Sequence, residues 1–439
     1  MHVLMITNHG LHHWNVIPGL PDTGGQNVFV NEMSQALADL GHQVTTVNRG
    51  GYADPVTGQQ RQGVMEKGEN QRIIYLDDGL PEFVRKEDMA ERIPFLVPAL
   101  ELALADSAPV DLIVSHYWDG AELGVEFNKT MDKPVRHIWI PHSLGAIKKE
   151  NLPEAQWEGL RLDERLEHES ALFANLDGVG STSALITDKL RDDYGYTGRI
   201  LFLPPCVDQK RYFAREVGPD DMIWRFLSQH SGLPAEEIRA SKIVTEISRT
   251  AITKRKDVLI KAFAMLLQRL PNAFLIATID DKQTELAAEL NELIEELGIG
   301  QRVAVLGSVW EWLPLIYSIT DLYCTPAIVE GFGMSAQEAA ATQVPVVASK
   351  RVPFVAEYLA GTKPQPLSFA RDHAPLLIGY GALLVEADDV RGFAEALIVL
   401  LRDEQLRRAM GQAAFQRTVP YFTWSTRVAG FLEELDPVA

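Results

Sequence analysis

The stretch between Leu322 and Ala348 constrains the fold more than any other. Leu322-Tyr323-Cys324-Thr325 is an apolar run of strand character. Val329-Glu330-Gly331-Phe332-Gly333-Met334-Ser335-Ala336-Gln337-Glu338 follows, and small residues continue to Thr342, which suits a helix packed closely on a sheet. A second apolar run, Val344–Ala348, comes at once. Strand, Gly-rich turn, helix and strand in that order place the turn at the carboxyl edge of a parallel sheet, where open α/β sheets bind their ligands. Gly331 and Gly333 let the backbone approach a ligand, and the helix start at Met334 offers N–H groups to phosphate. Glu330 and Glu338 would repel a phosphate; they suit the hydroxyls of a sugar and a ribose.

The rest of the chain repeats this alternation. His2–Asn8 reads as a buried strand, and a loop from His9 to Gly25 ends in Asp22-Thr23-Gly24-Gly25-Gln26 before a helix with Phe29, Met33, Leu37 and Leu40 on one face, closed by Gly41. Two glycines at that helix start again point to an anion. The pattern is not Gly-x-Gly-x-x-Gly, which speaks against a nicotinamide cofactor. Val44–Val47, Ile73–Leu76 and Asp111–Ser115 are further strands, with a polar excursion at 50–70. Asp119 reads as a helix N-cap, and His116 and Trp118 as either pocket-lining or strand-end residues. Ile138-Trp139-Ile140 leads into Pro141-His142-Ser143-Leu144-Gly145, so His142 stands at a strand's carboxyl edge, placed to bond a sugar hydroxyl. Pro153–Asn175 reads as one long polar helix, and Pro204–Ala240 as hinge and linker.

In the second half, Lys242–Ile247 runs into Ser248-Arg249-Thr250-Ala251-Ile252-Thr253-Lys254. Arg249 and Lys254, five apart on a loop after a strand, can both reach one diphosphate; Arg255 and Lys256 compete for the same role. Asp280-Asp281 ends the next strand, Gly307-Ser308-Val309-Trp310 follows another, 360–380 looks irregular, and Leu383–Glu386 is the last strand.

A length of 439 residues exceeds one hydrophobic core, so two domains are expected. The net charge of −19 argues against nucleic acid or an anionic membrane as partner. Cys206 and Cys324 form neither a metal spacing nor a disulfide framework, which fits a reducing cytoplasm. The chain opens on Val3-Leu4-Met5-Ile6 without the layout of a signal peptide, and no apolar run is long enough to span a membrane.

These motifs together resemble glycosyltransferase family 4, retaining enzymes of the GT-B fold, over nearly the whole chain. Within it they are most similar to the sucrose-phosphate and mannosylfructose-phosphate synthases. The resemblance implies two Rossmann-like domains facing across a cleft, 1–206 for the acceptor and 207–418 for the nucleotide sugar, with a helix in 419–439 crossing back to the first. It implies that Glu330 contacts the donor sugar and Glu338 the ribose. Gly24, Gly25, Arg249 and Lys254 would face the diphosphate, Val309 would hold the nucleobase through its backbone, and Gly331, Phe332, Gly333 and Met334 would line the donor. His142, in a His-Ser-Leu-Gly run, would lie at the reacting sugar. Gln26, Lys86, Lys148 and Arg165 would join His142 around the acceptor, although taken singly these three cations read as surface charges. Three places depart from the family: Cys206 replaces a glycine after two prolines, Asp280-Asp281 stands where glycine is frequent, and Lys350-Arg351-Val352-Pro353-Phe354 replaces a Gly-Gly loop.

The expected activity is hexosyl transfer with retention, from UDP-glucose first (GDP-mannose or ADP-glucose next) to fructose 6-phosphate first, with a phosphoglycerate or an unphosphorylated sugar as alternative acceptors. His142, Glu330, Arg249 and Lys254 carry the chemistry, and the cations and helix starts make a metal or other cofactor unnecessary. The substrates are the only partners expected, and the sequence sets no oligomeric state. An epimerase, a phosphorylase with lysine-bound pyridoxal phosphate and a non-catalytic sugar binder are the rival classes.

Overall fold

The computed structural model describes all residues except 17–21, 56, 281–283, 308, 368–374 and 436–439. Asp281 and Ser308, singled out above, therefore lie outside the described residues. The chain forms two compact units, residues 1–205 with 424–439, and residues 206–423.

The first unit runs β1 (His2–Ile6), α1 (Gly25–Asp39), β2 (Gln43–Arg49), β3 (Gly63–Lys67), β4 (Gln71–Leu76), α2 (Ile93–Leu104), β5 (Leu112–His116), α3 (Tyr117–Thr130), β6 (Arg136–Ile140), α4 (Gly145–Asn151), α5 (Leu162–Leu172), β7 (Gly178–Ser181), α6 (Ala184–Asp192) and β8 (Ile200–Phe202). Its sheet has the order β3-β4-β2-β1-β5-β6-β7-β8, parallel except for β3. Val3, Leu4, Met5 and Ile6 are fully buried, because helices cover both faces of a parallel sheet and a continuous apolar run is what such a strand needs. From β1 the chain steps first to β2 on one side and later to β5 on the other, so the loops after β1 and β5 diverge.

The second unit runs α7 (Met222–Ser231), α8 (Ala235–Arg239), β9 (Lys242–Glu246), α9 (Lys256–Leu267), β10 (Ala273–Thr278), α10 (Thr284–Glu296), β11 (Val303–Leu306), α11 (Leu313–Ile319), β12 (Leu322–Thr325), α12 (Met334–Ala341), β13 (Val346–Ser349), β14 (Gln365–Leu367), β15 (Leu376–Ile378), β16 (Ala382–Val385), α13 (Val390–Arg402) and α14 (Glu404–Thr418). Its sheet has the order β11-β10-β9-β12-β13-β16-β15-β14, with its own divergence between β9 and β12. The final helix, α15 (Trp424–Leu435), packs on α1 of the first unit, where Trp424 meets Phe29 edge to face with ring centroids 4.9 Å apart.

Four readings of the sequence are corrected. The polar excursion at 50–70 holds β3, an antiparallel partner for β4. The supposed hinge at 204–240 contains α7 and α8, which pack together, with Ile223, Leu227 and Ile238 buried. The stretch at 153–175 is not one helix: Arg161 takes φ 46°, and α5 begins only after it. The 360–380 segment contributes two antiparallel strands, β14 and β15.

A buried ion pair anchors the loop that leads from β4 to Lys86. Arg49 is 1% exposed and grips Asp78 with two hydrogen bonds of 2.8 Å, while also donating to the carbonyls of Leu80 (2.7 Å) and Glu82 (2.8 Å). Arg92 adds a third bond to Asp78 at 2.6 Å. Burial alone would raise the Asp78 carboxyl, but the bonds from Arg49 and Arg92 outweigh it and hold it below its ordinary value. Losing one partner strands a buried charge, and because Arg92 remains, Arg49→Met is expected to cost about 3 kcal/mol of unfolding free energy. Urea denaturation checks this; a loss below about 1 kcal/mol, the scale of an exposed pair, would contradict it.

Candidate active site

In the first unit the loops after β1, β5 and β6 meet at the carboxyl edge. Gly10, at φ 74°, lies so close to the Asp22 carbonyl that a Cβ there would sit 2.3 Å from the oxygen; glycine is what allows the two ends of the loop to touch. Asp22 pairs with Lys86, and Lys86 also lies 3.1 Å from Glu87. Burial opposes both charges, yet the Asp22–Lys86 pairing prevails: the carboxyl is lowered and the ammonium raised. At the start of α1 the Gly24 N–H donates to Asn27 Oδ1 at 2.9 Å, and Gln26 donates to Thr7 Oγ1 at 3.2 Å. Among the described residues, a Cβ at Gly24 would meet no atom within 4 Å.

One recess gathers the expected acceptor cations. Lys86, Lys148 and Arg165 line it together with Tyr117, Trp118, Arg161 and His168. Arg165 is only 4% exposed, and its guanidinium is shared among Glu169 (2.8 Å), the Ser143 carbonyl (2.6 Å) and the Tyr117 hydroxyl. Lys148 donates to the same hydroxyl at 3.0 Å. Burial, with Arg165 and Lys86 adding to it, pulls the Lys148 ammonium below the ordinary lysine value, against the pull of Tyr117. Tyr117 was missed from the sequence. Its oxygen accepts from Lys148 and Arg165, so its own hydrogen is left for another acceptor. It takes φ 65°, a strained backbone for a tyrosine. That strain cannot be read from residue types. The Asp119 capping role is also corrected: α3 starts at Tyr117, and the Asp119 carboxylate instead bonds His9 Nδ1 at 2.9 Å.

His142 also takes a left-handed backbone, at φ 54°. Its Nε2 lies 2.9 Å from Nδ1 of the buried His116, the two rings stack at 5.2 Å, and Phe29 packs edge-on against His142 at 4.9 Å. Burial, then the charge of His9, lowers His142 to about 3, so the ring is neutral at physiological pH.

In the second unit the loops after β9 and β12 are stitched together. Ile328 N–H donates to the Thr253 carbonyl at 2.9 Å, and Lys254 forms an ion pair with Glu330. Arg249 is exposed and has no partner among the described residues. The competing cations are accounted for elsewhere: Lys256 is buried against Glu246 and donates to Ser248 Oγ at 2.9 Å, and Arg255 binds Asp257 and Asp388. Gly333 has φ 111°, and a Cβ on it would meet Val352 Cγ1 at 2.6 Å, so this position demands glycine twice over. Phe332 is buried among Phe354, Tyr358 and Phe422, leaving its backbone as what the turn can offer. Gly331 is exposed, and Met334 opens α12 partly exposed. Glu338 accepts from the Tyr317 hydroxyl at 2.9 Å. The Val309 carbonyl already accepts from the N–H groups of Trp312 (2.8 Å) and Leu313 (3.0 Å).

Parallel sheets with helix starts at their carboxyl edges are the architecture of the doubly wound α/β proteins, which bind their ligands at that edge. The comparisons narrow that class. Residues 23–211 match the Glycosyltransferase Family 4 profile and residues 235–417 the Glycosyl transferases group 1 profile. Mannosylfructose-phosphate synthase of Agrobacterium fabrum is 29% identical over 360 residues, 79% of this chain and 75% of that protein. D-inositol 3-phosphate glycosyltransferase of Corynebacterium urealyticum is 28% identical over 422 residues, 94% and 91%. The structure of sucrose-phosphate synthase from Thermosynechococcus elongatus superposes with a TM-score of 0.79 at 24% identity, covering 100% of this chain and 98% of that one. The chain carries a Glycosyltransferase Family 4 domain and a Glycosyl transferases group 1 domain, and has the GT-B fold. It is a hexosyltransferase. Among the described residues no helix is long and apolar enough to cross a membrane.

Four histidines of the first unit, three of them buried and His142 partly exposed, have depressed proton affinity. His12, His137 and His142 fall to about 3, and His116 lies well below the usual value, with burial the leading cause in each. In the unfolded chain these rings bind protons near pH 6.5. Their contribution to stability is therefore complete above pH 6.5 and is lost as pH falls from there toward 3. Four protons imply a slope reaching about 5 kcal/mol per pH unit. Urea midpoints should be flat between pH 7 and 8 and drop steeply between pH 6.5 and 5; a midpoint unchanged at pH 5 would contradict the neutral burial.

Proposed function

We propose that the protein transfers a hexose with retention from a nucleotide sugar, UDP-glucose first, to a phosphorylated sugar, fructose 6-phosphate first. The recess lined by Lys86, Lys148, Arg165 and the Tyr117 hydroxyl carries this reading. Lysine ammonium groups and a hydroxyl already biased toward donation make a receptor for a compact dianion. The names of the related mannosylfructose-phosphate synthase and D-inositol 3-phosphate glycosyltransferase agree with a phosphorylated acceptor. The second of these makes an inositol phosphate the alternative to test.

On this reading Arg249, Lys254 and the amides at the starts of α1 and α12 take the charge that develops on the diphosphate. The bond from the anomeric carbon to the diphosphate breaks while the acceptor oxygen bonds on the same face, and the acceptor's proton passes to the departing phosphate oxygen. His142 stands beside the reacting sugar and Glu330 orients it. Glu338 holds the ribose, and the Val309 amide meets the base. Gln26 completes the acceptor wall. No metal or other cofactor enters the scheme, since the cations and amides supply the positive potential. The reducing cytoplasm is the proposed compartment, in keeping with two cysteines, both buried and 118 positions apart, that form no metal spacing.

Arg165→Ala would strand the buried Glu169 carboxylate, so Lys148→Met and Tyr117→Phe are the cleaner probes. Each is expected to raise KM for fructose 6-phosphate about 10- to 100-fold, the worth of one charged hydrogen bond, and to leave transfer to fructose nearly unchanged. The assay pairs UDP-glucose, GDP-mannose and ADP-glucose with fructose 6-phosphate, inositol 3-phosphate, 3-phosphoglycerate and fructose, reading products by mass. Equal losses on phosphorylated and plain acceptors would overturn the phosphate assignment.

A further inference from the structure

The His116–His142 contact has a direction that the surrounding hydrogen bonds decide. In a pair of neutral imidazoles only one of the two facing nitrogens carries hydrogen. If His142 donated from Nε2, His116 would carry its hydrogen on Nε2. That atom is buried and has no partner among the described residues. A buried N–H without an acceptor is among the rarest defects in native structures.

The neighbouring His12 reinforces the choice. The Gly24 N–H fixes Asn27 Oδ1, so Asn27 turns its amide nitrogen to His12 Nδ1, 3.2 Å away. His12 Nδ1 therefore accepts, and its hydrogen sits on Nε2. Asn31 donates its own amide nitrogen to the carbonyls of His13 (2.9 Å) and Trp14 (3.1 Å), and neither its oxygen nor His12 Nε2 makes a hydrogen bond among the described residues. His12 is close enough to act electrostatically on His116. A lone pair on His116 Nε2, rather than a second N–H, is compatible with that neighbour.

We propose that His116 is a positioning residue: it donates from Nδ1 to His142 Nε2 and so fixes the His142 imidazole with its hydrogen on Nδ1. His142 Nδ1 has no partner among the described residues, and the residue is partly exposed. The ring then offers a hydrogen-bond donor to a sugar oxygen and is not poised as a base. The placement of a sugar there rests on the function proposed above; the tautomer itself does not. The glycine loop thereby acts at a distance on His142, since Gly24 orients Asn27, and Asn27 sets His12.

Selective ¹⁵N-histidine labelling of the full chain, with His142 and His116 assigned through His142→Ala and His116→Asn, reads the tautomers directly. Protonated Nδ1 and bare Nε2 on both rings at pH 7.5 is the expected result. A protonated Nε2 on His142 overturns the proposal. Activity gives an independent reading. His116→Asn, whose amide nitrogen takes the place of Nδ1, should keep kcat within about threefold, and His116→Asp, an acceptor only, should lower kcat at least about tenfold with KM for the acceptor unchanged. Equal kcat for the two variants would overturn the proposal. If His142→Ala transfers sugar at the wild-type rate while the tautomers are as expected, the functional reading fails and the positioning stands.

Discussion

Parallel strands end on one edge of their sheet, and where the chain reverses its direction of travel across the sheet, two loops leave that edge on opposite sides. Both units contain this gap, between β1 and β5 and between β9 and β12, and Gly24, Gly25, Tyr117, Arg249, Lys254 and Glu330 stand on loops or helix starts bordering one. The constraint is topological, but it acts through chemistry. Backbone amides at the following helix starts point into the gap, and side chains there are held by the sheet rather than by mobile connections.

The two gaps are furnished differently. That of the second unit keeps its charges in play: Lys254 is paired with Glu330 across the two loops, and Arg249 stands exposed. The first is lined by groups whose burial has settled their protonation. His12, His116 and His142 are neutral, Arg165 is locked onto Glu169, and Tyr117 is wedged between two cations. Positively charged side chains suit a leaving group that gains negative charge, whereas neutral donors suit a sugar whose hydroxyls must be oriented without being titrated. The left-handed backbones of Tyr117 and His142 store strain where these groups must point, which surrounding packing has to support.

Much of this was legible from residue order. The Leu322–Ala348 run announced strand, glycine turn and helix, and Gly333 proved to need both its φ and its missing Cβ. The three acceptor cations, unremarkable singly, share one recess. What stayed hidden depends on backbone angles and on long-range pairs. Arg161 at φ 46° breaks a stretch whose composition suits a helix, Asp119 serves His9 rather than capping, and the helices at 222–239 lie in a region whose prolines and polar residues read as linker. Tyr117 was invisible because its role comes from Lys148 and Arg165, which reach it across 31 and 48 positions.

The account depends on the second unit receiving a diphosphate on Arg249 and Lys254. Calorimetric titration of UDP into the wild type, Arg249→Met and Lys254→Met measures this without any acceptor or turnover. Each substitution should weaken UDP binding about tenfold or more, the worth of one charge-assisted contact, with the wild-type affinity falling as salt is raised. Wild-type affinity in both variants, or UDP binding indifferent to salt, would contradict it.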